Sequence, residues 1–254
     1  MEKLRKPFQG LWNVIRFNWH FYVVALGLTI SCLLLTRALT PPYKFTAEVL
    51  LIFITGSVCV TLFVTWYVYD CSALYQFTWM EHREKSAACR IVNIHAGFDE
   101  TSGIIRKKYP LADLRVLDFY DPKKHTERSI KRARRAYPPF PGTQPVTTEL
   151  LPVESNSVDM VFSILSAHEI RTQEERLTFF RELNRVIARS GRLYITEHLR
   201  DIPNFLAYNL GFFHFHSRKV WIKTFEQSGF RILEETKTTP FITTFILFKN
   251  GTLS

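Results

Sequence analysis

The stretch Leu151–Arg200, LPVESNSVDMVFSILSAHEIRTQEERLTFFRELNRVIARSGRLYITEHLR, decides the fold. Asp159 opens an apolar run from Met160 to Leu165, continuous rather than alternating, as a strand buried on both faces requires. His168 and Glu169 follow at the carboxyl end of that strand, where open α/β sheets bind ligands. Thr172 and Glu175 have capping-box spacing, and Leu177, Phe180, Asn184 and Ile187 continue at helical spacing to Gly191. Arg192–Thr196 returns as a second strand with Glu197 and His198 at its end.

The same alternation extends outward in both directions. Upstream, Arg90–Ile94 reads as a strand followed by the loop 93–103, and Leu114–Leu117 as a strand ending at Asp118. Asp121-Pro122 has the form of a helix start, with proline in the first turn. A third strand is expected near Pro145–Leu150. Downstream, Ser217 is a helix N-cap, Gly229 its C′ residue, and Arg231–Thr236 with Phe241–Phe248 a closing hairpin through Pro240.

This order of elements, with the phrases SVDMVFSILSAHEI, RELNRVIARSGRLYITEH and FEQSGF, resembles class I S-adenosylmethionine-dependent methyltransferases over roughly Ala88 to Asn250. The resemblance implies an α/β fold, a Rossmann-like seven-stranded methyltransferase sheet, with S-adenosylmethionine as cofactor. Where that family usually has an acidic residue and then G-x-G-x-G, this chain has Asn93, His95, Gly97 and Asp99, so only Gly97 keeps a family glycine. By the resemblance Asp118 meets the ribose hydroxyls, a reading its spacing after the loop favours over that of a capping or loop aspartate. Thr147 stands nearest the adenine-binding place, and Ser166 completes the implied cofactor set of Asn93, His95, Gly97, Asp118, Thr147 and Ser166.

Ahead of this domain lie 20 residues without formal charge between Arg16 and Arg37, and 21 more between Glu48 and Asp70. Each reaches the ~20 residues that cross a bilayer as helix, and the apolar core of a signal peptide is shorter. Two transmembrane helices are therefore expected to precede the sheet. The chain divides into a membrane anchor (1–70), a connecting helix (71–89) and a methyltransferase-like domain (90–254). Lys3, Arg5, Lys6 and Arg16 precede the first span, against Arg37 and Lys44 between the two, so the positive-inside rule puts both termini and the domain in the cytoplasm. Trp12, Trp19, Trp66, Tyr67 and Tyr69 sit where interfacial rings are expected. The four cysteines form no CxxC or Cys/His spacing, which predicts neither a disulfide framework nor a metal site.

The net charge of +10 suits an acidic surface. Lys123, Lys124, Arg128, Lys131, Arg132, Arg134 and Arg135 concentrate in one segment, open to reading as a solvated face, an anionic-lipid contact or, last, a nucleic-acid contact. With a tethered domain, the membrane is the expected partner and no nucleic acid is expected. Methyl transfer needs alignment of acceptor and sulfonium, and sometimes a base. His168, His198, His214 and His216 map to strand ends or to the aromatic segment 202–216, and each also reads as a structural histidine. His216 is the preferred base and His168 the next. The expected activity is methyl transfer to a lipophilic small molecule or lipid entering from the membrane past 202–216. The rival is a methyltransferase-like membrane scaffold or binding subunit without catalysis.

Overall fold

In the computed structural model, residues 5–78 and 89–251 are described. Seven strands form one sheet in the order β3-β2-β1-β4-β5-β7-β6. They are β1 (Arg90–His95), β2 (Asp113–Asp118), β3 (Gln144–Pro145), β4 (Val158–Ile164), β5 (Ile187–His198), β6 (Phe230–Thr239) and β7 (Ile242–Lys249). β3, β2, β1, β4 and β5 run parallel, and β7 lies antiparallel between β5 and β6. The central strands are buried on both faces, which is why β4 is mostly apolar and buried along almost its whole length. One face packs on α6 (Gln173–Val186) and α8 (Arg218–Gln227), where Phe180, Trp221 and Phe225 form a buried aromatic cluster. On the other, Phe162 stacks on Tyr194 at 4.7 Å.

Local signals act as expected at several caps. Thr172 accepts from the Glu175 amide, Ser217 from the Val220 amide, and Gly229 ends α8 at φ +79°. Elsewhere tertiary contacts override them. α6 stops at Val186 rather than Gly191, because Ile187 is drawn into β5 and its side chain into the core. Gly191 instead lies inside β5, where a Cβ would stand 2.8 Å from the Val158 carbonyl oxygen, beside the register shift between Val158 and Met160. Asp121-Pro122 opens a turn and not a helix, and the basic helix α5 spans Arg128–Ala136. The third strand is two residues long.

α2 (Trp19–Ala38) and α3 (Tyr43–Trp66) pack on each other as an antiparallel pair. Both are long and apolar enough to cross a membrane, and their outward side chains are bare: Phe21, Leu34, Ile52 and Phe53 are exposed. The expected connecting helix 71–89 is replaced. A π-helical turn, Tyr67–Cys71, extends α3, a 3₁₀ turn follows at Leu74–Gln76, and the part of the expected helix at 79–88 lies outside the described residues.

An additional helix precedes the first span. α1 (Gln9–Phe17) buries Gly10, Asn13 and Phe17, and its first amides are capped from afar: Gly10 and Leu11 N–H donate to the two carboxylate oxygens of Asp70, each at 2.8 Å. Glu100, in the loop after β1, ties α1 to the sheet by accepting from Gln9 and Asn13 and pairing with Arg5 at 2.6 Å, while Tyr75 donates to its other oxygen. Residues 1–70 are thus not a free anchor, since α1 and Asp70 are built into the domain.

Candidate functional site

Between β1 and β4 the strand order reverses direction, and such a switch point opens a crevice at the carboxyl ends of the strands. A mainly apolar cavity of ≈ 200 Å³ lies there. Its floor is the ends of β1, β4 and β5, represented by Asn93, Ile164 and His198. Its roof is α1 (Asn13, Val14, Phe17) and α5 (Ser129, Ile130, Ala133), with Tyr69 and Tyr75 from the turns that follow α3 closing one side. α1 and α5 lock together: Arg132 donates to the Phe17 carbonyl, and Tyr137 donates to Asn13 Oδ1.

The loop after β1 is organised by side chains in place of glycines. Asn93 Nδ2 donates to Thr101 Oγ1 at 2.9 Å and Ser102 Oγ at 2.7 Å, while Asp99 Oδ1 accepts from the Thr101 and Ser102 amides, which together fix the start of α4 (Ser102–Lys108). His95 Nδ1 accepts from the Gly97 amide at 2.9 Å, so its Nε2 carries the proton. That Nε2 and Asp99 Oδ2 are buried, 3.9 Å apart and without hydrogen-bond partners. Burial lowers the His95 pKa. A buried donor beside a buried acceptor, both unsatisfied, suits an amino-acid zwitterion, because each would otherwise carry an uncompensated desolvation cost.

Gly97 takes φ +92°, and the space a Cβ would fill belongs to the Arg134 guanidinium. Arg134 reaches from α5 across Gly97 to pair with Asp118 Oδ2, while Asp118 Oδ1 accepts from the Tyr120 amide. Asp118 therefore faces the cradle at the end of β2, beside His95 in register, but its carboxylate is held by the arginine. The residues fit S-adenosylmethionine with one condition: Arg134 must turn aside for the ribose to meet Asp118. It is free to do so, being a flexible side chain about one-third exposed.

Of the six implied cofactor residues only Asn93 and His95 line the cavity; Gly97 and Asp118 lie outside its lining under Arg134, and Thr147 and Ser166 are placed elsewhere. Thr147 is exposed, two residues past the short β3, and outside the lining. Ser166 is buried, its hydroxyl shared between Ser163 Oγ and the Ile94 carbonyl, so it braces β1 and β4. His216 also moves out of the site. Its Nε2 faces the Ile170 carbonyl at 3.1 Å and Arg176 at 3.3 Å, its ring lies edge-on to Trp221, and burial lowers its pKa to about 3. Such a group is a structural acceptor-side contact, and the preferred base by sequence is corrected accordingly. His198 lines the cavity but is saturated, with Tyr69 OH at its Nε2 (2.7 Å) and Asn204 Oδ1 at its Nδ1 (2.9 Å). Burial lowers its pKa to about 4.

His168 is differently placed. Its Nδ1 lies 2.6 Å from Glu197 Oε2, and Glu197 Oε1 also accepts from the Ser166 and His168 amides. Glu197 is fully buried at the end of β5, so it fixes the imidazole's orientation and leaves Nε2 directed at the cavity side. Glu169 and His214 stand opposite. Hydrogen bonding from His214 holds the Glu127 carboxyl down to about 2, and the carboxylates of Glu127 and Glu169 raise His214 against the opposing effect of burial. Sequence reasoning placed Glu197 at the end of its strand but missed its bond to His168, and it missed the roles of Arg134, Glu100, Asp70 and all of α1. The lone acidic Asp70 at the end of a 21-residue uncharged run was the available signal for the cap.

Residues 121–195 match a sequence family described as "Methyltransferase domain". No curated protein matches the sequence. Among solved structures, a SAM dependent methyltransferase from Aquifex aeolicus is similar at 15% identity and TM-score 0.47, covering 63% of this chain and 81% of that one. A putative type 11 methyltransferase from Sulfolobus solfataricus is similar at 16% and 0.44, with 65% and 85% covered. Geranyl diphosphate C-methyltransferase from Streptomyces coelicolor A3(2) is similar at 9% and 0.46, with 63% and 72% covered. Identities this low leave residue roles to be argued from this chain alone. The sheet order and the matched segment support a class I S-adenosylmethionine-dependent methyltransferase domain, with S-adenosylmethionine as its cofactor.

Proposed function

We propose that the protein transfers a methyl group from S-adenosylmethionine to a lipophilic acceptor at a membrane surface. The observation that carries this reading is the apolar cavity at the switch point, roofed by α1 and walled by Tyr69 and Tyr75 at the foot of two exposed apolar helices. S-adenosylmethionine would lie over Gly97 with its amino-acid end toward His95 and Asp99 and its ribose on Asp118. When bound it supplies an electrophilic methyl. The chain aligns the acceptor, excludes water with α1 and α5, and offers the polar pole of His168, Glu169 and Glu197.

The segment 202–216 supports the membrane part of the reading in a different way from that expected. Only Phe215 reaches the cavity. α7 (Ile202–Tyr208) docks on α3, with Thr61 Oγ1 donating to the Ala207 carbonyl at 2.7 Å and Asn209 to Ser57 Oγ at 3.2 Å. Ser57 lies nine residues before the end of α3 at Trp66, or about 14 Å along the helix axis. Ile202, Leu206 and Leu210 meanwhile face outward, the arrangement of a segment set into the interfacial layer. Of the basic helix, Arg132 and Arg134 serve internal contacts, which leaves Arg128, Lys131 and Arg135 for anionic lipid.

Calorimetry of the detergent-purified chain with S-adenosylhomocysteine tests the cofactor, and Leu206→Glu with Leu210→Glu tests the membrane route. Cofactor affinity should stay unchanged in the double variant while turnover of a lipophilic acceptor in vesicles falls. Equal turnover would remove the membrane route. The Arg134–Asp118 pair favours one second reading, a methyltransferase-like scaffold whose cradle stays latched. No heat of binding in either the wild type or Arg134→Ala would establish that reading instead.

A further inference from the structure

We propose that His168, Glu169 and His214 form a binding site for one divalent transition-metal cation at the polar pole of the cavity. The three ligand atoms, two imidazole Nε2 and one carboxylate oxygen, converge from two separate segments. Glu169 Oε1 lies 3.7 Å from His168 Nε2 and 3.5 Å from His214 Nε2, and all three lie within 4.8 Å of one another. These gaps exceed hydrogen-bond length. They are near the roughly 3.3 Å that separates ligands around a tetrahedral ion with bonds of about 2.0–2.1 Å. Two histidines and one carboxylate that leave positions open are a recurrent donor set for divalent transition metals.

The surroundings carry the argument further. A metal-bound imidazole needs its other nitrogen held by an acceptor, commonly a carboxylate. Both histidines have one: His168 Nδ1 on Glu197 Oε2 at 2.6 Å, and His214 Nδ1 on Glu127 Oε1 at 3.0 Å. Each pairing turns the Nε2 toward Glu169. Arg171 also approaches His214 Nδ1, and it donates to Glu127 Oε1 and to the His214 carbonyl. The second oxygen of Glu169 is buried without a hydrogen-bond partner, in a residue only 5% exposed. Three carboxylates, Glu127, Glu169 and Glu197, meet one arginine at this place, so a divalent cation would balance charge as well as satisfy Glu169. His168 and Glu169 line the cavity, so remaining coordination positions would face an acceptor bearing hydroxyl or carboxylate oxygen.

This site goes beyond the methyl-transfer reading and does not depend on it. The test uses tag-free full-length protein in detergent, stripped with chelator and titrated with Co²⁺. The expected result is one equivalent bound per chain with visible ligand-field bands. His168→Ala and His214→Ala should weaken binding by at least 100-fold, and Glu197→Gln by about 10–100-fold as an orienting partner is lost. His20→Ala, remote from the site, should bind as wild type. Zn²⁺-edge absorption of the wild type should report two imidazole nitrogens with carboxylate oxygen, a readout that needs no variant to fold. No saturable Co²⁺ binding at millimolar concentration, a metal shell without imidazole, or folded His168→Ala and His214→Ala variants that bind as wild type would each overturn the proposal.

Discussion

Asp118 has one oxygen on its own loop and the other on Arg134, so on the proposed function a ribose would compete there with a guanidinium. The arginine side chain is about one-third exposed, and such a pair is worth only ~0–1 kcal/mol. Arg134→Ala should therefore tighten S-adenosylhomocysteine binding by up to about fivefold, whereas Asp118→Ala should weaken it by the ~1–3 kcal/mol of a lost charged acceptor. Calorimetry on both variants checks this, and weaker binding in Arg134→Ala would assign the arginine to the cofactor's own contacts. His198 gives a second prediction. Its folded pKa of about 4 lies below the ordinary value near 6.5, so it stabilises the fold while neutral, fully so above 6.5. That contribution, at most roughly 3 kcal/mol, is lost as pH falls from 6.5 toward 4. Thermal unfolding in detergent should drop over that window, and His198→Gln should flatten the drop.

At the scale of elements, α1 is the piece whose placement depends on a single distant side chain. Its own N-terminus has no local cap, and Asp70 serves two of its amides from the end of the π turn. Losing a cap costs ~1 kcal/mol, and here the loss would fall on the roof of the cavity. Asp70→Ala should lower the unfolding temperature slightly and speed tryptic cleavage after the exposed Arg16 much more than cleavage elsewhere. Cleavage at the wild-type rate would mean that Glu100 and the α5 contacts hold α1 without the cap. The register of β5 is a parallel case: Ile187 carries more weight in the core than Gly191 does as a helix stop, and the strand begins at Ile187 rather than Arg192.

For the whole molecule, the proposed membrane reading carries an expectation about which side of a bilayer the sheet would occupy. The basic residues before α2 outnumber those between α2 and α3, so on the proposed membrane reading the short α2–α3 connection is expected outside and the domain inside. In a background lacking the exposed Cys59 and Cys71, Thr40→Cys should be labelled from outside intact cells and Lys123→Cys should be protected. The opposite pattern would reverse the orientation. Labelling at Thr252, the other natural choice, falls outside the described residues. Because α1 and α3 both contact the domain, deleting residues before Asp70 would open the cavity as well as remove the two apolar helices, so point variants on α7 separate the two effects where truncation does not.

The sequence by itself determined the elements that depend on near neighbours. Runs of apolar residues marked the buried strands β1, β2, β4 and β5, long uncharged runs marked α2 and α3, and Thr172, Ser217 and Gly229 marked helix ends through bonds spanning three or four residues. The loop from Asn93 to Asp99 and the acidic end of β2 were located as a loop and a strand end for the same reason, while their cofactor roles came only from the family resemblance. What lay beyond reach were contacts between residues far apart in the chain. Asp70 caps α1 across 60 residues, and His214 meets Glu127 across 87. Arg134 spans only 16 residues to Asp118, but its direction follows from α5 packing on α1. His216 looked as suited to chemistry as His168 because residue type and spacing are blind to direction. Tertiary packing turned one ring toward Trp221 and a backbone carbonyl, and the other toward the cavity. The metal-ligand geometry was likewise invisible, since His168-Glu169 and His214 share no short spacing and come together only when the segment after β5 folds back over the end of β4.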